Sequence, residues 1–510
     1  MRSKKAIINA VTILFSQILI LLLNFILRKV FLFYFNTEYL GVNGLFNSVV
    51  SMLSVAELGV GTAITFSLYK PLAQKDYDII NGLMYLFKSI YRIIGICILV
   101  VGIAITPIVL QLVEIETEIP LLAVIYILFV INASISYFFS FSRTLIVADQ
   151  QEYKLAVIDN LSKLLLIGFQ ALILIFTRNY ILYLVMQIIM TFVQNFAVYL
   201  KVKKNYKEVS FAKKKLPEDI KKTIKKNISA MIIYKLAIVS VSSSDNLIIS
   251  KMLGTVFVGL YSNYSMVILT LQTISSKLIT GITATIGNVV AEENDKKTYG
   301  VLELLQYLCF IIYCILCSTL FSSINPFIRV FYGKEFLLDI VTVIVLLINF
   351  YLLGMQGATS IFRDTKGIFV QGKLRPLFQG ILNIVISIAL VLLMHNLTAV
   401  FLGTIISRLL TITWYEPYAI HKYGFGSTSK LFYFYEKKIM YFLMAVSINV
   451  ITYIICSYIP VKNILSVLII AMVAFAVSTI LVGLSTMFTR EYKHLVGILK
   501  GVLHAKNVKK

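Results

Sequence analysis

Fourteen long apolar segments, with lysine and arginine gathered in every second gap between them, limit what this chain can fold into. About 20 apolar residues span a bilayer as a helix. Only helices and closed barrels cross lipid, because unpaired backbone groups are too costly there. These runs are too long and too continuously apolar for barrel strands. The sequence predicts helices over 7–35, 42–69, 89–113, 120–142, 155–176, 179–200, 229–250, 254–288, 301–328, 337–362, 376–394, 397–420, 439–459 and 464–488. The expected fold class is therefore an all-α integral membrane protein with 14 transmembrane helices.

Charge supplies the orientation. Most of the 47 Lys and Arg residues lie at the two termini and in the gaps after even-numbered segments. The opposite gaps hold only Arg178, Lys251, Arg329, Lys334 and Lys462. Positive-inside bias then places both termini in the cytoplasm, and the acidic gap with Glu114, Glu116 and Glu118 outside. The net charge of +23 reads as topology and contact with anionic membrane lipids, not as nucleic-acid binding. The opening MRSKKAIINAVTILFSQ lacks a small-residue cleavage site and reads as the tail of the first helix.

The chain also repeats itself. Segments 1–6 and 7–12 match at a shift of 218 to 219 residues: Gly41 recurs as Gly259, Gly82 as Gly300, Pro107 as Pro326. Thr62, Ile64 and Thr65 recur as Thr280, Ile282 and Thr283, and Lys154-Leu155 as Lys373-Leu374. An even number of helices per repeat makes the two halves parallel, related by an axis along the membrane normal. The expected organisation is an N-terminal lobe at 1–200, a basic cytoplasmic linker at 201–228, a C-terminal lobe at 229–421, and an appended helix pair with a basic tail at 422–510. Two such lobes around a central cavity make an alternating-access transporter. Pro107 and Pro326 are expected to kink segments 3 and 9 at matched depths.

Polar residues inside apolar spans are costly and usually face a bundle interior or a wet cavity. The first segment carries Gln17, Asn24 and Arg28 on one helical face. The seventh carries Lys235, Ser242 and Asn246, the same positions shifted by 218, with Asp245 beside the last. These six are the candidate substrate-binding residues; snorkelling of Arg28, Lys29 or Lys235 to an interface is the alternative reading. Glu57, Asp159 and Asp245 are candidates for coupling to a proton or sodium ion. Glu57 can equally anchor a neighbouring helix, and Asp159 can pair with Lys163 four residues on. Arg92, Arg408 and Glu416 are weaker candidates, and topology accounts for Arg143 and Arg363. The glycines at 41, 44, 59 and 61 permit close helix contacts.

No metal-ligand spacing joins the four histidines, and the five cysteines all sit in apolar spans as core residues. There is no P-loop and no dinucleotide turn, so no cofactor is expected, and secondary transport is favoured over an enzyme or an ATP-driven pump.

The stretch YLGVNGLFNSVVSMLSVAELGVGTAITFSLYKPLA (39–73) resembles the opening of bacterial polysaccharide flippases. SSSDNLIISKMLGTVFVGLYSNY (242–264) resembles the start of their second half. These flippases belong to the multidrug/oligosaccharidyl-lipid/polysaccharide exporter superfamily, with the toxin-extrusion antiporters and the flippase of the peptidoglycan lipid precursor. The resemblance covers essentially the whole chain. It implies a multi-pass protein of the bacterial cell membrane with two toxin-extrusion-like six-helix lobes plus the extra pair. The implied activity is transfer of an undecaprenyl-diphosphate-linked oligosaccharide from the inner to the outer leaflet. In that reading Arg28 and Lys235 meet the diphosphate, while Gln17, Asn24, Ser242 and Asn246 meet sugar. A polysaccharide polymerase and glycosyltransferases are the protein partners implied. Two other readings stay open: a cation-coupled exporter of organic cations using Glu57, Asp159 and Asp245, and a membrane polymerase using the acidic outer gap at Glu114–Glu118.

Overall fold

The structure, a computed structural model, describes residues 2–54, 60–149, 151–211, 214, 216–218, 243–280, 286, 294–368, 371–372 and 374–497. The described residues are helical with no strand, and ten of their helices are long and apolar enough to cross a membrane. Two compact units divide the chain, Met1–Gly259 and Leu260–Lys510.

In the first unit the helices are α1 (Arg2–Tyr34), α2 (Thr37–Leu53), α3 (Val60–Gln74), α4 (Tyr77–Ala104), α5 (Thr106–Leu110), α6 (Leu122–Ala148), α7 (Glu152–Thr177), α8 (Tyr180–Asn205) and α9 (243–252). The helix α10 (Thr255–Thr280) begins in this unit and continues into the second. α6 is the hub, packing on α3, α4 and α8, while α1 lies along α7. The core is apolar and aromatic, with Phe46, Phe87, Tyr126 and Leu145 fully buried. Short polar side chains start the helices. Asn36 accepts from Tyr39 N at 3.3 Å and Asn179 from Leu182 N at 3.1 Å. Each such cap is worth about 1 kcal/mol.

Two expectations shift here. Segment 3, predicted from 89, begins as α4 at Tyr77, because Asp76 caps it through Ile79 N at 3.1 Å. It also stops at Ala104, and Pro107 lies in the separate five-residue α5. Proline has no N–H to continue the ladder and sits well in a first turn. Pro326, its repeat partner, lies inside one continuous helix. The start of the basic linker is docked on α4. Asn81 donates to Glu208 O at 3.1 Å and accepts from Ser210 N at 2.7 Å, and Leu216 is buried.

In the second unit follow α11 (Asp295–Phe331), α12 (Ile340–Thr365), α13 (Arg375–Met394), α14 (Leu397–Leu410), α15 (Ile412–Ala419), α16 (Leu431–Ser457), α17 (Ile464–Thr486) and a helical segment at 490–497. α11 is the centre. Its 37 residues reach about 55 Å at 1.5 Å per residue, well beyond a ~30 Å hydrocarbon core, and α12, α16 and α17 pack on it. Cys309, Cys314 and Cys317 are buried along it as free thiols. The C-terminal pair is tied to α11 by a Tyr307–Thr486 hydroxyl contact at 2.7 Å and by Phe310 stacked on Tyr441 at 4.6 Å. Its outer faces expose Leu443, Ile454, Leu468 and Leu484, the composition expected against lipid.

Candidate functional site

Three polar constellations stand out, and each starts from residues that are expensive to bury. The first lies along α1. Asn24 and Arg28 are half-buried, whereas Lys29, one residue on, is exposed. The two neighbouring cations therefore differ in exposure. Beyond Arg28 the helix enters an aromatic cluster: Phe31 packs edge-on against Tyr180 and Tyr183, and Tyr180 packs on Tyr39 and Phe35. The side chain of Gln17 and the residues Glu57, Lys235 and Ser242 lie outside the described residues.

The second is a helix crossing in the first unit between α2 and the start of α10. A Cβ on Gly41 would sit 2.0 Å from the carbonyl oxygen of Thr255, and one on Gly259 would sit 2.3 Å from that of Thr37. Thr37 and Thr255 stand at the same shift as the two glycines. The contact is thus made twice, by repeat-related residues. Gly44 extends it against Val258, where a Cβ would approach a methyl carbon to 2.8 Å. These glycines allow backbone-to-backbone approach that no side chain would permit. Asn246, a candidate for substrate contact, donates to Ser48 Oγ at 2.9 Å and to Gly44 O at 3.5 Å. Its amide is held at this crossing because only the turn at Leu253 and Gly254 separates α9 from the start of α10. Asp245 is half-buried beside it.

The same end carries further ties. Ser250 donates to Leu112 O at 2.8 Å, Thr255 N to Glu114 O at 2.8 Å, and Lys251 pairs with Glu114. Glu38, buried and missed from sequence, accepts Glu116 N at 2.8 Å and Thr117 N at 3.2 Å. Each such charge-assisted bond counts about twice a neutral one. The acidic gap is therefore pinned, with Glu114 engaged by a lysine.

The third constellation occurs once in each unit. In the first, Arg143 of α6 grips Asp159 of α7 with both guanidinium nitrogens, one at 2.9 Å, and Gln194 of α8 donates to the same carboxylate at 2.6 Å. The pairing of Asp159 with Lys163 is replaced by this one, and Lys163 is exposed. The reason is reach: Arg143 meets the carboxylate as a planar fork, which a lysine one turn away does not match. In the second unit, Arg363 of α12 donates to Glu416 of α15 at 2.6 Å. Arg375 of α13 lies 2.6 Å from the same oxygen, and Thr359 donates to the other at 3.0 Å. The Glu416 side chain is 3% exposed, so both guanidinium groups are drawn into the interior. Arg408, also buried, donates to Gln356 at 3.0 Å. Arg143 and Arg363 thus each bind a carboxylate from a later helix.

Between α16 and α17 runs a groove of about 730 Å³, lined by Ile439, Leu443, Ile451, Leu481 and Leu484 with Glu436 at one end. Among the described residues no His, Cys, Asp and Glu cluster forms a metal site.

No family model matches the chain, and no curated protein does. Solved structures do. The lipid II flippase MurJ in an inward closed conformation is similar at TM-score 0.66 and 14% identity, over 96% of this chain and 100% of that one. An inward-facing multidrug resistance MATE family transporter of the MOP superfamily is similar at TM-score 0.60 and 15% identity, over 76% of this chain and 91% of that one. A point mutant of the Vibrio cholerae MATE transporter VcmN gives TM-score 0.58 and 12% identity, over 83% of this chain and 98% of that one. The chain therefore has the all-helical fold shared by MATE transporters and MurJ.

Proposed function

We propose that this protein is a flippase that carries an undecaprenyl-diphosphate-linked oligosaccharide from the inner to the outer leaflet by alternating access. The reading is carried by one observation: the lipid flippase is matched along its whole length and 96% of this chain, the MATE transporters along 76% and 83% of it. The appended α16–α17 pair supports it, because its apolar groove suits a polyisoprenyl tail. Arg28, half-buried on α1, suits a diphosphate. Lys235 and Ser242 take the matching role from the seventh segment, and Gln17 and Asn24 face the sugar. The crossing of α2 with α10, closed by Gly41 and Gly259, serves as the outer barrier that must part for release.

In this reading the protein sits in a bacterial cytoplasmic membrane with both termini inside. Its lobes are 1–200 and 229–421, and it hands substrate to a polysaccharide polymerase. Proton or sodium coupling falls to Glu57 or Asp245. Asp159, already held by Arg143 and Gln194, is the poorer candidate.

Replacing Arg28 with Ala is expected to abolish export of surface polysaccharide while the protein still reaches the membrane. Unchanged export in that variant would remove Arg28 from the mechanism. The second reading, export of organic cations, draws on the MATE neighbours. Broad drug sensitivity of a deletion strain with intact surface polysaccharide would favour it.

A further inference from the structure

A charged cavity of about 670 Å³ lies in the second unit, apart from everything used above. Its walls come from the first turns of α11 and from the helical segment at 490–497. Asn294, Lys296, Lys297, Arg490 and His494 line it, with Glu303 and Glu491 deeper. Both described acids of the lining are paired. Lys437 of α16 donates to Glu303 at 3.0 Å and also binds Glu491, both pairs being largely buried. Asp295, in the first turn of α11, is 3.2 Å from Lys366. Among the described lining residues, counting Lys437 with the floor, four cations stand against two carboxylates, a net positive balance.

The helix adds to this. Asn294 caps α11 by accepting from Lys297 N at 3.0 Å, and the N-terminal end of a helix carries partial positive charge. Because α11 overreaches a hydrocarbon core, its first turns stand at the membrane edge, on the side that the lysine bias assigns to the cytoplasm. The volume is that of an ordinary small-molecule site.

We propose that this cavity binds a phosphate-bearing anion, with Lys296, Lys297 and Arg490 as its cationic rim. The Glu303–Lys437–Glu491 clasp acts as the floor that positions it. The ligand joins the segment behind α17 to the start of α11, the helix on which the appended pair rests. An anionic phospholipid headgroup and a soluble phosphate share this chemistry, and the experiment separates them.

The full-length protein in detergent is titrated by native mass spectrometry with phosphatidylglycerol and, separately, with ATP. K296A/K297A/R490A is expected to lose roughly a hundredfold in affinity for one of them, about fivefold per charge. K201A/K203A/K204A, which removes three cations elsewhere, is expected to lose less than about twofold, as for charges outside the site. K296R/K297R should bind as the parent does, which separates loss of charge from loss of fold. A change for phosphatidylglycerol alone marks a lipid, and a change for ATP alone a soluble phosphate. Equal affinities of the cavity and control variants for both anions would overturn the proposal.

Discussion

Glu416 holds two guanidinium groups and two hydroxyls inside the second unit, and its neutralisation would leave Arg363 and Arg375 facing one another without their shared anion. Breaking a buried ion pair from one side costs about 3 to 5 kcal/mol. Glu416→Gln should therefore lower the thermal midpoint in detergent sharply, and adding Arg375→Met should restore part of the loss. An unchanged midpoint in the single variant would show that the carboxylate carries no such burden. In the first unit Asp159→Asn weakens a half-exposed bidentate pair and should cost about 1 to 3 kcal/mol. Lys163→Ala, at an exposed position, should stay within about 0.5 kcal/mol. Equal losses in the two would return Asp159 to a pairing with Lys163. These contacts were hard to read from the chain. Arg363 and Glu416 are 53 residues apart, and Glu38 binds a loop 78 residues on. Polarity within an apolar run signals that a residue must find a partner, but spacing names the partner only within one helix.

At the scale of elements, the repeat was legible because paired glycines survive in order, and the crossing of α2 with α10 gives two of them a shared physical cause. Gly41 and Gly259 meet opposing backbone, whereas Gly300, the counterpart of Gly82, has nothing within 4 Å of an added Cβ. Gly82 itself is covered by Leu216 of the docked linker. A repeat in sequence is thus not always a repeat in contact. Gly41→Ala and Gly259→Ala should each destabilise by about 1 to 3 kcal/mol through overpacking. Gly300→Ala should be neutral or stabilise by up to about 1 kcal/mol, as for a helix-interior glycine with room. Thermal unfolding of the three variants decides it, and similar behaviour of all three would dissolve the distinction. Helix ends were less legible than helix centres. α4 begins twelve residues before its apolar run, because Asp76 rather than hydropathy sets its start. Hydropathy reports where lipid is, while caps report where the helix is.

For the whole molecule, the apolar segments and the alternating charge already specify a multi-pass helical protein, and its fold is that of MATE transporters and MurJ. In the proposed function the α2–α10 crossing is the moving part, parting once per cycle. Gly44 and Val258, which extend it, are close enough that cysteines there should form a disulfide. The decisive measurement is surface polysaccharide export by Gly44→Cys/Val258→Cys, with the exposed Cys97 changed to Ser, before oxidation, after oxidation and after reduction. The account predicts that oxidation stops export and that reduction restores it, with the uncrosslinked protein active. Full export with the crosslink in place would contradict it.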